Sequence, residues 1–91
     1  MRSEAKFISD VLTELERARV NFPSNRHMNA ALVEEVGELS RALLECSIDK
    51  SHAENVYKEA VQVAVMAARV ALEGDPSFDY DPEEGMKEEG Q

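Results

Sequence analysis

Tryptophan is absent from the sequence, and only two tyrosines and three phenylalanines are present. So small an aromatic content argues against a β-sandwich, whose core such side chains usually help to fill. The single cysteine, Cys46, excludes an internal disulfide. It falls within an apolar helical pattern and reads as a small core residue. Bases are scarce: 10 Lys and Arg stand against 19 Asp and Glu, for a net charge of −9. A groove for a nucleic-acid polymer needs a basic stripe, which this balance does not provide. A small phosphate ligand held through a metal is still compatible with it. Long apolar runs are missing too. The longest, residues 61–72, contains Gln62 and Arg69 and is too short to cross a membrane. With no signal-peptide pattern either, a cytoplasmic protein without a membrane partner is expected.

What the chain does have is helical periodicity, which predicts an all-α fold. Phe7, Ile8, Val11, Leu12, Leu15 and Ala18 recur at helical spacing, predicting a first helix over 3–20 with Ser3 as its cap. Lys6, Asp10, Glu14 and Arg17 form its opposite, solvated face. Pro23 and the turn residues after it interrupt the pattern. A second helix follows over 26–46. A third runs over 51–73 and ends at Gly74-Asp75-Pro76, where the glycine suits a left-handed cap and the proline blocks continuation. The short link between the second and third helices predicts antiparallel packing.

The domain division is uneven. Residues 1–74 hold 12 acids and 9 bases and form the helical domain. Residues 75–91 hold seven acids and one base, Lys87, and read as a flexible acidic tail from which Phe78 and Tyr80 could clip onto a neighbour.

Carboxylates interrupt the apolar patterns at two places. On the second helix Leu32, Val36, Leu39 and Leu43 make the expected inward stripe. Glu35 falls beside it, between Ala31, Ala42 and Leu39, with Glu38 at the edge and Glu34 further out. On the third helix Val56, Val63, Ala67 and Val70 make the stripe, and Glu59 lies inside its arc with Gln62 alongside. Residues three apart on a helix are neighbours, so Glu35 with Glu38 and Glu59 with Gln62 form two pincers that antiparallel packing sets face to face. Three converging negative charges repel at low dielectric. A divalent cation resolves the conflict, and oxygen ligands suit Mg²⁺ or Mn²⁺ better than Zn²⁺.

These residues resemble the MazG-like all-α nucleoside triphosphate pyrophosphohydrolases, whose pattern is EExxE followed after a spacer by ExxD. Glu34, Glu35 and Glu38 match the first part and Glu59 the Glu of the second, over residues 26–75; Gln62 stands where the family has Asp. The resemblance implies hydrolysis of a (d)NTP to (d)NMP and pyrophosphate, in cleansing of nucleotide pools. It implies Mg²⁺ held by Glu35, Glu38, Glu59 and, more weakly, Gln62. Glu34 would act with Glu35 and Glu38 in catalysis. Lys58, Arg69 and His27 are the nearby residues that could contact substrate. The alternative is a helical oligomerisation or nucleotide-binding module of the same fold that has lost turnover, which Gln62 favours. A second apolar face on the third helix, Val61, Val65, Ala68 and Leu72, predicts that the bundle is completed by association into a homodimer or tetramer.

Overall fold

Local capping sets the first boundaries. The Ser3 hydroxyl accepts the Lys6 N–H at 3.2 Å, and helix α1 then runs Glu4–Asn21. The computed structural model describes residues 1–86; the end of the acidic tail, 87–91 with Lys87, lies outside the described residues. Helix α2 spans Met28–Ile48, about two residues later at each end than its periodicity suggests. Its start is delayed because His27 takes a left-handed conformation, φ 64°, which interrupts helical geometry. The Asp49 side chain accepts the Ser51 N–H at 3.0 Å and opens a 3₁₀ turn, Lys50–His52, leading into α3, Ala53–Glu73. Gly74 closes α3 with φ 74° as expected, but with ψ −174°, an extended rather than left-handed helical state. A side chain there would place its Cβ 3.0 Å from Pro82 Cγ, so the chain after α3 folds back on this glycine. No strand occurs among the described residues, and none of their helices is long and apolar enough to cross a membrane.

Ion pairs fix the directions. Arg2 meets Glu54 at 2.7 Å and Arg19 meets Glu73 at 2.9 Å, so α1 runs parallel to α3 along its whole length. Asp75, just past the end of α3, bonds the first turn of α2, so these two are antiparallel, as predicted. The outer helices flank α3 on separate sides, and their Cα traces nowhere approach within 8 Å among the described residues.

The centre of the core is Leu15 and Ala18 of α1 against Val61 and Val65 of α3, with Phe7, Val11, Tyr57, Met66 and Ala68 around them. Helix α1 thus covers the face of Val61, Val65 and Ala68 that helical periodicity assigned to a partner subunit; Leu72 stays exposed. The supposedly solvated side of α1 is also partly engaged. Tyr57 Oη donates to Asp10 Oδ2 at 2.6 Å, and Gln62 Nε2 donates to Glu14 Oε1 at 3.0 Å. Periodicity ranks faces by hydropathy and does not see such polar bridges.

Helix α2 is rotated from its expected orientation. Met28 and Ala42 are its buried residues, whereas Val36 and Leu43 of the leucine-rich stripe are exposed. Interaxial distance depends on the side chains at the contact, and the alanine-bearing flank permits closer approach to α3. Met28 and Ala42 each stand seven residues from Glu35, so the rotation places Glu35 in the middle of the α2–α3 seam.

Candidate metal centre

Because Glu35 sits in the seam and Glu38 follows one turn later, both carboxylates reach across to α3. One oxygen from each of Glu35, Glu38 and Glu59 comes within 4.8 Å of the others. Glu35 and Glu59 are half-buried and Glu38 is exposed, so the cluster opens to solvent along one side. One Glu59 oxygen, Oε2, is buried without a hydrogen-bond partner among the described residues. An unsatisfied buried acceptor carries its full desolvation cost and calls for an explanation.

The electrostatics show the same conflict. Burial pushes the Glu35 carboxyl above its ordinary range, and the neighbouring Glu59 and Glu38 push it further. Either a proton retained on Glu35 or a cation shared by all three groups relieves the repulsion. The two compete, which leads to an expected result. A carboxyl with a raised folded-state pKa binds more protons when folded than unfolded, so metal-free stability falls as pH rises through that pKa. Thermal melts in chelator should give a higher Tm near pH 5 than at pH 7.5. Glu35→Gln should flatten that slope and gain roughly 4–8 °C at neutral pH, the equivalent of about 1 kcal/mol in a domain of this size. A wild-type Tm that rises from pH 5 to 7.5, with no gain in Glu35→Gln, would contradict this account of the cluster.

Beside the carboxylates lies an open groove of about 740 Å³. Glu34 and Glu35 line one part of it, Phe22, Pro23, Met28 and Met66 make an apolar wall, and Arg26 and His27 lie at the connection between α1 and α2. Of the residues singled out in the sequence, Glu34, Glu35, Gln62, Arg69 and His27 all border this space. Gln62 gives its amide N–H to Glu14, a hydrogen bond that, after the one from Arg17, helps hold the Glu14 carboxyl below its usual range. Arg69 is 1% exposed. Its guanidinium bonds Glu73 at 2.9 Å and donates to the Phe22 carbonyl at 2.8 Å, so it shapes the groove by holding the loop above it. The His27 ring is 3.0 Å from Ser77 Oγ through Nδ1. Lys58 lies apart from these, in a separate depression between α1 and α3 with Glu54 and Tyr57.

One structural residue had no periodic signal in the sequence. Asp75 is 3% exposed, and its carboxylate accepts the N–H groups of His27 at 3.1 Å, Asn29 at 2.9 Å and Ser77 at 2.9 Å. It caps α2 from beyond the end of α3, where His27 offers no side-chain cap of its own. Compared with known protein families, curated proteins and solved structures, the chain matches none.

Proposed function

We propose that this protein is a Mg²⁺-dependent nucleoside triphosphate pyrophosphohydrolase of the MazG-like kind, cleaving a (d)NTP to (d)NMP and pyrophosphate. The observation that carries this reading is the convergence of Glu35, Glu38 and Glu59 from two helices, oxygens within 4.8 Å, beside a groove large enough for a nucleotide. The donor set fits the ion: its members are all oxygens, and Glu59 Oε2 is a buried acceptor with no partner among the described residues. Glu35, Glu38 and Glu59 would hold Mg²⁺ or Mn²⁺. When bound, the ion would neutralise charge on the phosphate oxygens and favour attack by water.

The protein's own groups supply the rest. Glu34, exposed beside the cluster, would orient the attacking water and accept its proton. The apolar wall of Phe22, Pro23, Met28 and Met66 would keep bulk water from one side of the phosphates. In this reading the enzyme works in the cytoplasm as a homodimer or tetramer. Exposed Ile8, Leu12, Val33 and Leu44 support association by offering apolar surface outside the three-helix core.

A second reading, a nucleotide-binding or oligomerisation module without turnover, draws on Gln62. It lacks the charge of an Asp, and its amide is engaged by Glu14. The two readings separate in one assay. The full chain, incubated with a panel of NTPs and dNTPs and Mg²⁺, should release pyrophosphate from at least one. No release from any nucleotide, together with an unchanged Tm on adding Mg²⁺ or Mn²⁺, would leave the module reading in its place.

A further inference from the structure

A chain of net charge −9, with Glu34 and Glu35 lining its groove and Glu38 and Glu59 in the adjoining cluster, repels an anionic ligand unless a cation stands nearby. Two arginines border the groove. Arg69 is buried and already bonded to Glu73 and two loop carbonyls. Arg26 is exposed and has no ion-pair partner among the described residues. Its backbone N–H donates to Ser24 Oγ at 3.2 Å, and its guanidinium makes no hydrogen bond among the described residues.

The backbone on both sides of Arg26 is tied to the end of α3. Arg69 donates to the Phe22 carbonyl at 2.8 Å, Asn25 Nδ2 donates to the Glu73 carbonyl at 2.8 Å, and the His27 N–H bonds Asp75 at 3.1 Å. A pinned loop thus carries a long cationic side chain at the groove. From Met28 to Glu35 the helix rises roughly 10 Å. Arg26 lies beyond Met28, so it and the carboxylate cluster stand at separate places along the groove. Such spacing suits an extended polyphosphate better than a single phosphate.

We infer that Arg26 is the anion-binding residue of the groove, gripping the end of a polyphosphate whose remaining phosphates lie at the Glu35–Glu38–Glu59 cluster. The nucleotide identity of the ligand rests on the pyrophosphohydrolase reading; the polyphosphate contact is tested independently of it. Guanidinium pairs with phosphate through charge-assisted, often bidentate hydrogen bonds, so loss of the contact should weaken binding about tenfold or more.

The test uses the full chain as wild type, Arg26→Ala, Arg26→Gln and Arg26→Lys. Calorimetry with Mg²⁺ and inorganic tripolyphosphate should show the Kd rising about tenfold or more in the first two variants and partly restored in Arg26→Lys. Mn²⁺ binding read by electron paramagnetic resonance should be unchanged in all four. On a nucleotide that is turned over, KM should rise by a similar factor while kcat stays within about twofold, the signature of a contact made equally in ground and transition states. Arg26-dependent tripolyphosphate binding without hydrolysis of any nucleotide would support this inference and remove the hydrolase reading. Hydrolysis with an unaltered KM in Arg26→Ala and Arg26→Gln would do the reverse. Absent tripolyphosphate binding by wild type, or loss of Mn²⁺ binding in the variants, would overturn the assignment of Arg26.

Discussion

Glu59→Gln is expected to reduce pyrophosphate release at least about 100-fold and to weaken Mn²⁺ binding by a similar factor. Altering even an outer partner of a metal ligand costs about 10–100-fold, and removing a ligand should cost more. The substitution keeps the shape of the side chain, so a collapsed fold would not explain the loss. Its effect on the metal-free protein should run the other way. Glu59 Oε2 is a buried acceptor without a partner among the described residues, and its neighbours Glu35 and Glu38 are acidic. Replacing the carboxylate by a neutral amide relieves that repulsion, so in chelator the variant should melt at or above the wild-type temperature. Lost activity combined with retained or increased stability is the mark of a site whose charges serve a ligand rather than the fold. Full activity in Glu59→Gln, or a variant that only unfolds, would remove this residue from the metal centre. Glu35→Gln should lose activity in parallel.

Asp75→Ala should be the most destabilising single substitution of an acidic residue, with Tm falling by roughly 5–15 °C. The carboxylate satisfies the N–H groups of His27, Asn29 and Ser77, and water cannot replace it readily in so enclosed a position. Without it the first turn of α2 has no side-chain cap, since His27 provides none. The groove wall carried by that turn should loosen as well. Hydrogen bonds from the Asn29 N–H, and then from Ser77 and His27, lower the Asp75 pKa from 3.8 to about 2 against the opposing effect of burial. A depressed carboxyl pKa contributes stability that is present in full above the unfolded value and lost as pH falls through the folded one. Wild type should therefore lose stability between about pH 4 and pH 2 more steeply than Asp75→Ala. Circular-dichroism melts of both proteins over that range read the difference. Matching melting temperatures at neutral pH would show that the cap contributes little.

Both predictions concern residues that the sequence showed very unequally. Glu59 was legible because it breaks an apolar arc: a carboxylate recurring inside a hydrophobic face is visible in periodicity alone. Glu35 was legible for the same reason, although it was placed on the flank of a leucine stripe. Packing made that flank the seam, since Met28 and Ala42 are the buried residues and Val36 and Leu43 are not. Asp75 gave no such signal. It looked like the first acid of a charged tail, and only the return of α3 to the start of α2 turned it into a cap. Arg69 shows the complementary case. As a cation near the acidic motifs it suggested a phosphate contact, yet in the fold its guanidinium is enclosed by Glu73 and the Phe22 and Ser24 carbonyls.

The apolar faces divide in the same way. An α3 hydrophobic on two sides requires two covers, and that requirement is written in its sequence. Which cover goes where is not. Helix α1 lies against Val61 and Val65, running parallel to α3, because the whole length of both helices can then be matched by Arg2 with Glu54, Tyr57 with Asp10 and Arg19 with Glu73.

The sequence by itself determined three helices, their approximate ends and the antiparallel α2–α3 pair, because spacing, caps and a short connection are local properties. It also marked the glutamates that interrupt the apolar faces. The tertiary structure decided how far α2 turns about its axis, that Glu35, Glu38 and Glu59 meet, and that Asp75 closes α2. Those outcomes depend on side-chain volumes and hydrogen-bond partners separated by dozens of residues, which only packing brings together.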